Sequence, residues 1–242
     1  SVEAAVCTEL FAALFNYQEQ KAGKCKERKL GLRTFFLRAA ATFGKLLVKG
    51  CVRGFPRCCL IACITDDAGL QRHLPQVFLP RTPRSGVPSA GVRQVFSDAA
   101  YSIEAWHGSA GWNVLLMMKT WLRAIEGVAR HHRPGCSILL VLDAYSVHAS
   151  LETVRLCRSL GIRLLYIPAG MTGLLQPLDT YVFAQLKRRM RQRMLAKRLE
   201  SEAGGLQWSD VLECATFAVR EELVGKTWCT AMRRAGLHGD AA

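Results

Sequence analysis

Ser137-Ile-Leu-Leu-Val-Leu-Asp143-Ala-Tyr-Ser-Val-His148, followed after a helical segment by Arg163-Leu-Leu-Tyr-Ile-Pro168, decides how this chain folds. Ile138 to Leu142 is a short unbroken apolar run, the pattern of a strand buried on both faces. Asp143 follows at once. A lone carboxylate is expensive to bury, so an acid there is either a hydrogen-bonded turn or cap residue or the ligand of a cation. Ser150 suits the N-cap of a helix to Leu160, with Glu152 in its first turn to match the dipole. Leu151, Val154, Cys157 and Leu160 are expected on the inner face. Gly161 ends that helix, and Arg163 to Ile167 is a second buried strand stopped by Pro168. Strand, helix and strand joined by short links form a right-handed parallel crossover. Both strands then end on one edge of the sheet, where ligands of such sheets bind. The chain returns there through Gly173-Leu-Leu-Gln176-Pro177-Leu178-Asp179, just ahead of a new helix. Asp143 and Asp179 can thereby converge, as a divalent, oxygen-seeking cation requires.

These residues bring a family into view. Leu142-Asp143-Ala-Tyr-Ser-Val-His148 resembles the LDNAPSH segment of pogo- and Tigger-type transposases of the mariner superfamily. Tyr166-Ile-Pro-Ala-Gly-Met-Thr-Gly-Leu-Leu-Gln-Pro-Leu-Asp179 is similar to their LPPNTTxLLQPLD, and Phe183 to Arg188 to the VFxxLKR beyond it. The 35 residues between the two acids fit the family's spacing, and linked motifs in order are a specific signal. The resemblance implies an α/β fold: a ribonuclease-H-like mixed sheet flanked by helices, with a C-terminal helical extension. It implies a DDE superfamily endonuclease that cuts and joins DNA with three acids and two Mg²⁺ (or Mn²⁺) ions. Asp143 and Asp179 would be two of the catalytic, metal-holding acids. His148 would stand near the metal site, orienting a phosphate or water, or else serve as a loop residue capping the next helix. Gln176 and Thr172 carry the same double reading, with local loop hydrogen bonds the plainer one.

The first acid departs from the pattern. In the family it lies in a strand motif like NxDET, about fifty residues before a hairpin ADGxxLPPxVI. That hairpin is similar to Thr65-Asp66-Asp67-Ala-Gly-Leu-Gln-Arg-His-Leu-Pro-Gln-Val-Phe78. The spacing puts Gln18 where the acid should be, in Asn16-Tyr17-Gln18-Glu19-Gln20, and a neutral amide would hold Mg²⁺ weakly. Three accounts stay open. The chain is an inactive, decayed or domesticated relative. Its N-terminus is truncated or mis-spliced. Or Asp66 or Asp67 supplies the third carboxylate, if Cys58 to Thr65 is the first core strand. Glu19 is a weaker candidate.

Across 242 residues, 33 Lys and Arg against 19 Asp and Glu leave a formal charge of +14, which favours polyanionic partners, nucleic acid before an anionic membrane surface. No apolar run reaches the ~18–20 residues of a membrane span, and no signal peptide is visible. The ten cysteines, with no Cys-x-x-Cys pair, read as reduced core thiols of an intracellular protein. Zinc on Cys136 with His131 and His132 has poor ligand spacing. A nucleotide-binding α/β enzyme lacks its Gly-rich phosphate loop.

Residues 1–57 are expected to be a basic segment, irregular or helical. Val2 to Tyr17 would be a helix, and Lys21 to Arg57 holds eleven Lys or Arg against Glu27 alone. The core is expected over 58–200, with strands at Cys58–Thr65, Gln76–Leu79 and Tyr101–Trp106 and a loop from Arg81 to Gln94. A helix follows over Asn113–His131, with Leu116, Trp121, Ile125 and Val128 inward. Trp106 to Trp112 and Val224 to Leu237 resemble further family segments, so the likeness runs from about Cys58 to Leu237. Thr180 to Leu199 is a basic helix with Phe183, Leu186, Met190 and Met194 as its apolar stripe. Lys187, Arg188, Arg189, Arg191 and Arg193 are its candidate phosphate contacts, with Lys197 and Arg198 beyond them and Glu200 the only nearby acid. Residues 201–242 form a helical extension, broken from the basic helix at Gly204-Gly205. It would hold helices over Trp208–Glu222, capped by Ser209, and Thr227–Ala235. The expected partners are DNA and a second copy of the chain, with no membrane and no small-molecule cofactor, in the nucleus. A non-catalytic DNA-binding remnant is the competing class.

Overall fold

The computed structural model describes residues 36–46, 58–80, 90–97, 103–106, 114–168, 170–200 and 206–237. The helix expected over 2–17, with Gln18 and Glu19, lies outside them, as do 107–113 and Gly204-Gly205. The elements run β1 (Phe36–Leu46), β2 (Cys58–Thr65), α1 (Ala68–Gln71), β3 (Gln76–Pro80), α2 (Ala90–Ser97), β4 (Ile103–Ala105) and α3 (Val114–His132). There follow β5 (Ser137–Asp143), α4 (Leu151–Ser159), β6 (Ile162–Ile167), α5 (Thr172–Leu175), a π-helical turn (Leu178–Val182) and α6 (Phe183–Glu200). Then come α7 (Trp208–Val219), a second π-helical turn (Arg220–Val224) and α8 (Cys229–Arg234).

Six strands form one mixed sheet in the order β4-β3-β2-β1-β5-β6. β1–β2 and β2–β3 are antiparallel; β1–β5, β5–β6 and β3–β4 are parallel. The sheet begins earlier than expected. Phe36–Leu46, assigned from sequence to a basic irregular segment, is β1 and lies between β2 and β5. Its register is Ala39 with Thr65 on one side and Ala40 with Val141 on the other. Arg38 and Lys45 within the run, and the basic flanks, hide its apolar character from a composition count.

Both sheet faces are covered, which is why β2 reads as an unbroken apolar run. Leu60, Ala62 and Ile64 face one core cluster, together with Val141, Leu165 and Ile167. Ile61, Cys63, Leu140 and Leu142 face the other. The first face is roofed by the π-helical turn Leu178–Val182, α6, α7 and α8, through Leu178, Val182, Leu186, Val219 and Met232. The helices of the C-terminal extension therefore share the core of β2 and β5. The second face is roofed by α3 and α4. Buried Gln76 closes the end of β2, its Oε1 accepting from Cys63 N (2.9 Å) and its Nε2 donating to Cys63 O (2.7 Å). Gln71 does the same one step on, accepting from Thr65 N (2.8 Å) and donating to Leu223 O (3.1 Å). Burial pushes the Cys58 and Cys157 thiols up to about 12, as inert core thiols require.

Four local expectations need correction. Helix α3 buries Met118, Trp121, Leu122, Ile125 and Ala129, whereas Leu116 is 58% exposed. At 100° per residue Leu116 falls roughly 140° from Trp121, on the far side of the helix. Helix α4 turns Thr153 and Cys157 inward and leaves Leu151 61% exposed. Its phase is set by the Thr153 hydroxyl, which donates to Val147 O (2.9 Å) and accepts from Ser150 Oγ (2.9 Å). The end of the expected loop 81–94 is already helix α2, whose Phe96 packs against Phe78 with ring centroids 5.5 Å apart. Further on, Gln207 caps α7 in place of Ser209, its N–H donating to Asp210 (2.7 Å). No helix of the described residues is long and apolar enough to cross a membrane.

Leu122→Ala should lower unfolding stability by about 2–5 kcal/mol, the usual cost of emptying a fully buried leucine site. Leu116→Ala should change it by no more than about 0.5 kcal/mol. Urea denaturation of the two variants checks the phase of α3; equal losses would refute it.

Candidate metal and nucleic-acid site

Alternation along β5 aims Asp143. Val141 faces the cluster that contains Leu178 and Val182, so Asp143, two residues on, faces the same side. Asp179 sits in that π-helical turn, at the start of the helix behind it. His148 is fully buried beneath the loop. Its Nδ1 lies 2.5 Å from Asp143 Oδ1 and 3.2 Å from the carbonyl oxygen of the same residue. Nδ1 thus contacts Asp143 at both its carboxylate and its carbonyl oxygen. Tyr166 on β6 donates to His148 O (2.8 Å), and Tyr145 meets the imidazole edge-on at 5.6 Å. The helix cap belongs to Ser150, whose Oγ accepts from Thr153 N (3.2 Å). His148 thus serves Asp143, not the cap.

Asp179 is exposed as a residue, yet its carboxyl pKa is raised: first by partial desolvation, then by the charge of Asp143, with Lys187 pulling the other way. The two acids and Lys187 are therefore within electrostatic reach of one another. The turn that presents Asp179 is tied by Thr180, whose hydroxyl donates to Gly173 O and Gln176 O, both at 3.0 Å. Gln176 itself is fully buried, so its side chain supports the loop and does not meet solvent. Thr172 opens the short helix α5, its carbonyl accepting from Gln176 N (2.9 Å).

Among the described residues, no third acid stands level with Asp143. Carrying the β1–β5 register two residues past Ala40 and Val141 brings Thr42 level with Asp143. β1, Phe-Leu-Arg-Ala-Ala-Ala-Thr-Phe-Gly-Lys-Leu, contains no Asp or Glu. Asp66 and Asp67 do not fill the gap, because Cys58–Thr65 is the second strand and runs antiparallel to β1. Thr42 pairs with Ala62, so Asp66 lies four residues farther toward the opposite edge, roughly 13 Å at the strand rise of ~3.3 Å. Asp67 has its own employment: it accepts from Leu70 N (2.9 Å) as the cap of α1 and receives both Nε and Nη2 of Arg133 (2.6 and 3.1 Å). Among the described residues, no three His, Cys, Asp or Glu side chains are grouped to hold a metal ion.

The apolar stripe of α6 is Phe183, Leu186, Met190 and Met194, as expected. Its cations are less uniform than the sequence suggests. Lys197 is neutralised by Asp210 (3.1 Å) and Glu213 (2.5 Å) of α7, and Arg189 lies 3.7 Å from Glu222. Lys187, Arg188 and Arg191 are exposed, and Arg193 is half-buried. Acids brought from another helix are what a linear count of charges misses.

The family described as DDE superfamily endonuclease matches residues 98–223, 126 of the 242 residues. The chain belongs to that family. Its mixed sheet carries helices on both faces, as the α/β expectation required. The catalytic domain of Mos1 transposase, solved with raltegravir and Mg, is similar at a TM-score of 0.42 and 12% identity, over 98% of this chain and 96% of that one. The HTLV-2 integrase catalytic core domain in complex with magnesium gives 0.35 and 11%, over 79% and 88%. An MFS-type transporter, clz9 of Cochliobolus lunatus, is 28% identical over 127 residues. Those residues are 52% of this chain and 14% of the transporter, so the chain spans a small part of that curated relative.

In this DDE-family site the raised Asp179 pKa means that the folded state holds the proton more tightly than the unfolded chain. Stability then falls as pH rises above the ordinary carboxylate value of 3.8. Asp179→Asn should unfold at a higher temperature than wild type near pH 7, with the difference closing below pH 3.8. A destabilised variant near neutrality would show that burial and Asp143 do not raise the Asp179 pKa.

Proposed function

We propose that this DDE-family chain binds duplex DNA and takes one divalent cation, Mg²⁺ or Mn²⁺, between Asp143 and Asp179, without cutting DNA at an appreciable rate. The observation that carries the proposal is the acid-free β1 beside Asp143. Two-metal chemistry needs carboxylates to bridge and flank two ions ~3.5–4 Å apart. Two acids with neutral Thr42 at the same level can neutralise one ion well and a second poorly. Asp179, whose carboxyl pKa is raised first by partial desolvation and then by the charge of Asp143, fits a cation as its missing partner. A bound cation would supply charge neutralisation for a phosphate oxygen. His148 would hold Asp143 in place, Lys187 would steady Asp179, and Lys187, Arg188 and Arg191 would meet the phosphates. We extend the reading to a nuclear protein that acts as a homodimer.

The second reading is metal-dependent cleavage and strand transfer with two ions. The Asp143–His148–Asp179 arrangement and the family membership favour it. It requires an acid from outside the described residues.

Supercoiled-plasmid nicking in Mg²⁺ or Mn²⁺ separates the two. The proposal expects wild type to match Asp143→Asn at background, and Thr42→Asp to raise metal-dependent nicking at least tenfold. Robust wild-type nicking that Asp143→Asn abolishes would establish the second reading instead.

A further inference from the structure

Phe217 on α7 is surrounded by guanidinium groups. The Cζ atoms of Arg193, Arg220 and Arg189 lie 5.3, 5.4 and 5.8 Å from its ring centroid. Arg189 and Arg193 are one turn apart on α6, while Arg220 begins the π-helical turn after α7. Two segments distant in sequence thus deliver three like charges to one ring, where they repel one another. A cation over an aromatic face offsets only part of that at half-exposed positions.

The carboxylates nearby do not balance the cluster. Glu222 is 3.7 Å from Arg189 but is also gripped by Lys226. Glu221 stands 3.5 Å from Arg220. No carboxylate of the described residues lies within ion-pair distance of Arg193. One turn along, Lys197 is matched by two acids, so this helix pair does neutralise a cation where structure alone requires it. Arg189 and Arg220 keep 44% and 45% of their side chains in solvent, so their donors are reachable. Arg220 also borders an open cavity of about 650 Å³ shared with Arg72, Lys226 and Thr227.

We infer that Arg189, Arg193 and Arg220, held in place by Phe217, bind a backbone phosphate of duplex DNA, and that the cavity at Arg72 and Lys226 receives the adjoining stretch of that strand. The inference rests on the DNA-binding reading above. It adds a contact site away from the carboxylate pair, with residues of a second helix that the charge run on α6 did not include. Guanidinium forks match phosphate oxygens two at a time, and packing on the ring fixes their planes before the ligand arrives.

The test is binding of a fluorescently labelled duplex, followed by anisotropy over a salt series. Each lost phosphate contact reduces the steepness of log K against log salt by about 0.9. Arg193→Ala with Arg220→Ala should flatten the slope by about 0.9 and weaken low-salt binding about tenfold. Arg193→Lys with Arg220→Lys should keep the slope, and Phe217→Leu should weaken binding with the slope unchanged. Thermal unfolding of the Lys pair serves as the folding control. Wild-type binding that survives the alanine pair with slope and affinity intact overturns this site alone. Wild type that fails to bind duplex overturns it together with the DNA-binding reading. Loss of stabilisation by inorganic phosphate, with duplex binding intact, assigns the cluster to a free anion and also overturns it.

Discussion

Two like charges held at one end of a sheet define this molecule. Asp143 ends a strand whose inner residues are committed to a hydrophobic core, and Asp179 enters from a turn rooted in the same core by Leu178 and Val182. Neither can retreat without uncovering apolar surface. Partial desolvation first, and the charge of Asp143 second, raise the Asp179 pKa, a cost that packing holds in place and a cation would relieve. Sites that keep such a cost are more often functional than structural. The contrast with Asp67 makes the point, because that acid is fully served by a helix N-terminus and Arg133.

The sheet explains both what the site has and what it lacks. Parallel pairing of β1, β5 and β6 puts the ends of three strands on one edge, so three side chains from three segments can meet there. β5 delivers Asp143, and the loop after β6 leads to Asp179. β1 brings an acid-free strand to the same edge. The antiparallel direction of β2 carries Asp66 and Asp67 to the other edge, where Gln71, Gln76 and the Leu223 carbonyl close the structure.

Much of this was legible in the residues. Strong local signals carried β2, β5, β6, the Ser150 cap and the stripe of α6, because burial there follows a strict period or a named cap. The expectation that Asp143 and Asp179 share one edge came from crossover topology. What stayed hidden depended on partners remote in sequence. β1 was obscured by basic flanks, and only its pairing with β2 and β5 identifies it. Leu116 and Leu151 are apolar but lie off the inner face, where Trp121 and the Thr153 hydroxyl set the helix phase. His148 was equally readable as a cap until its contact with Asp143 was seen. The pairing of Lys197 with α7, and of Arg189 and Arg193 with Phe217, needs tertiary structure to be known at all.

The central claim is that the rim holds one cation and not two. Crystals grown with Mn²⁺ and measured for anomalous scattering address it directly. The account predicts a single peak between the carboxylates of Asp143 and Asp179. A pair of full-occupancy peaks about 3.5–4 Å apart, the separation of a two-metal centre, would contradict it.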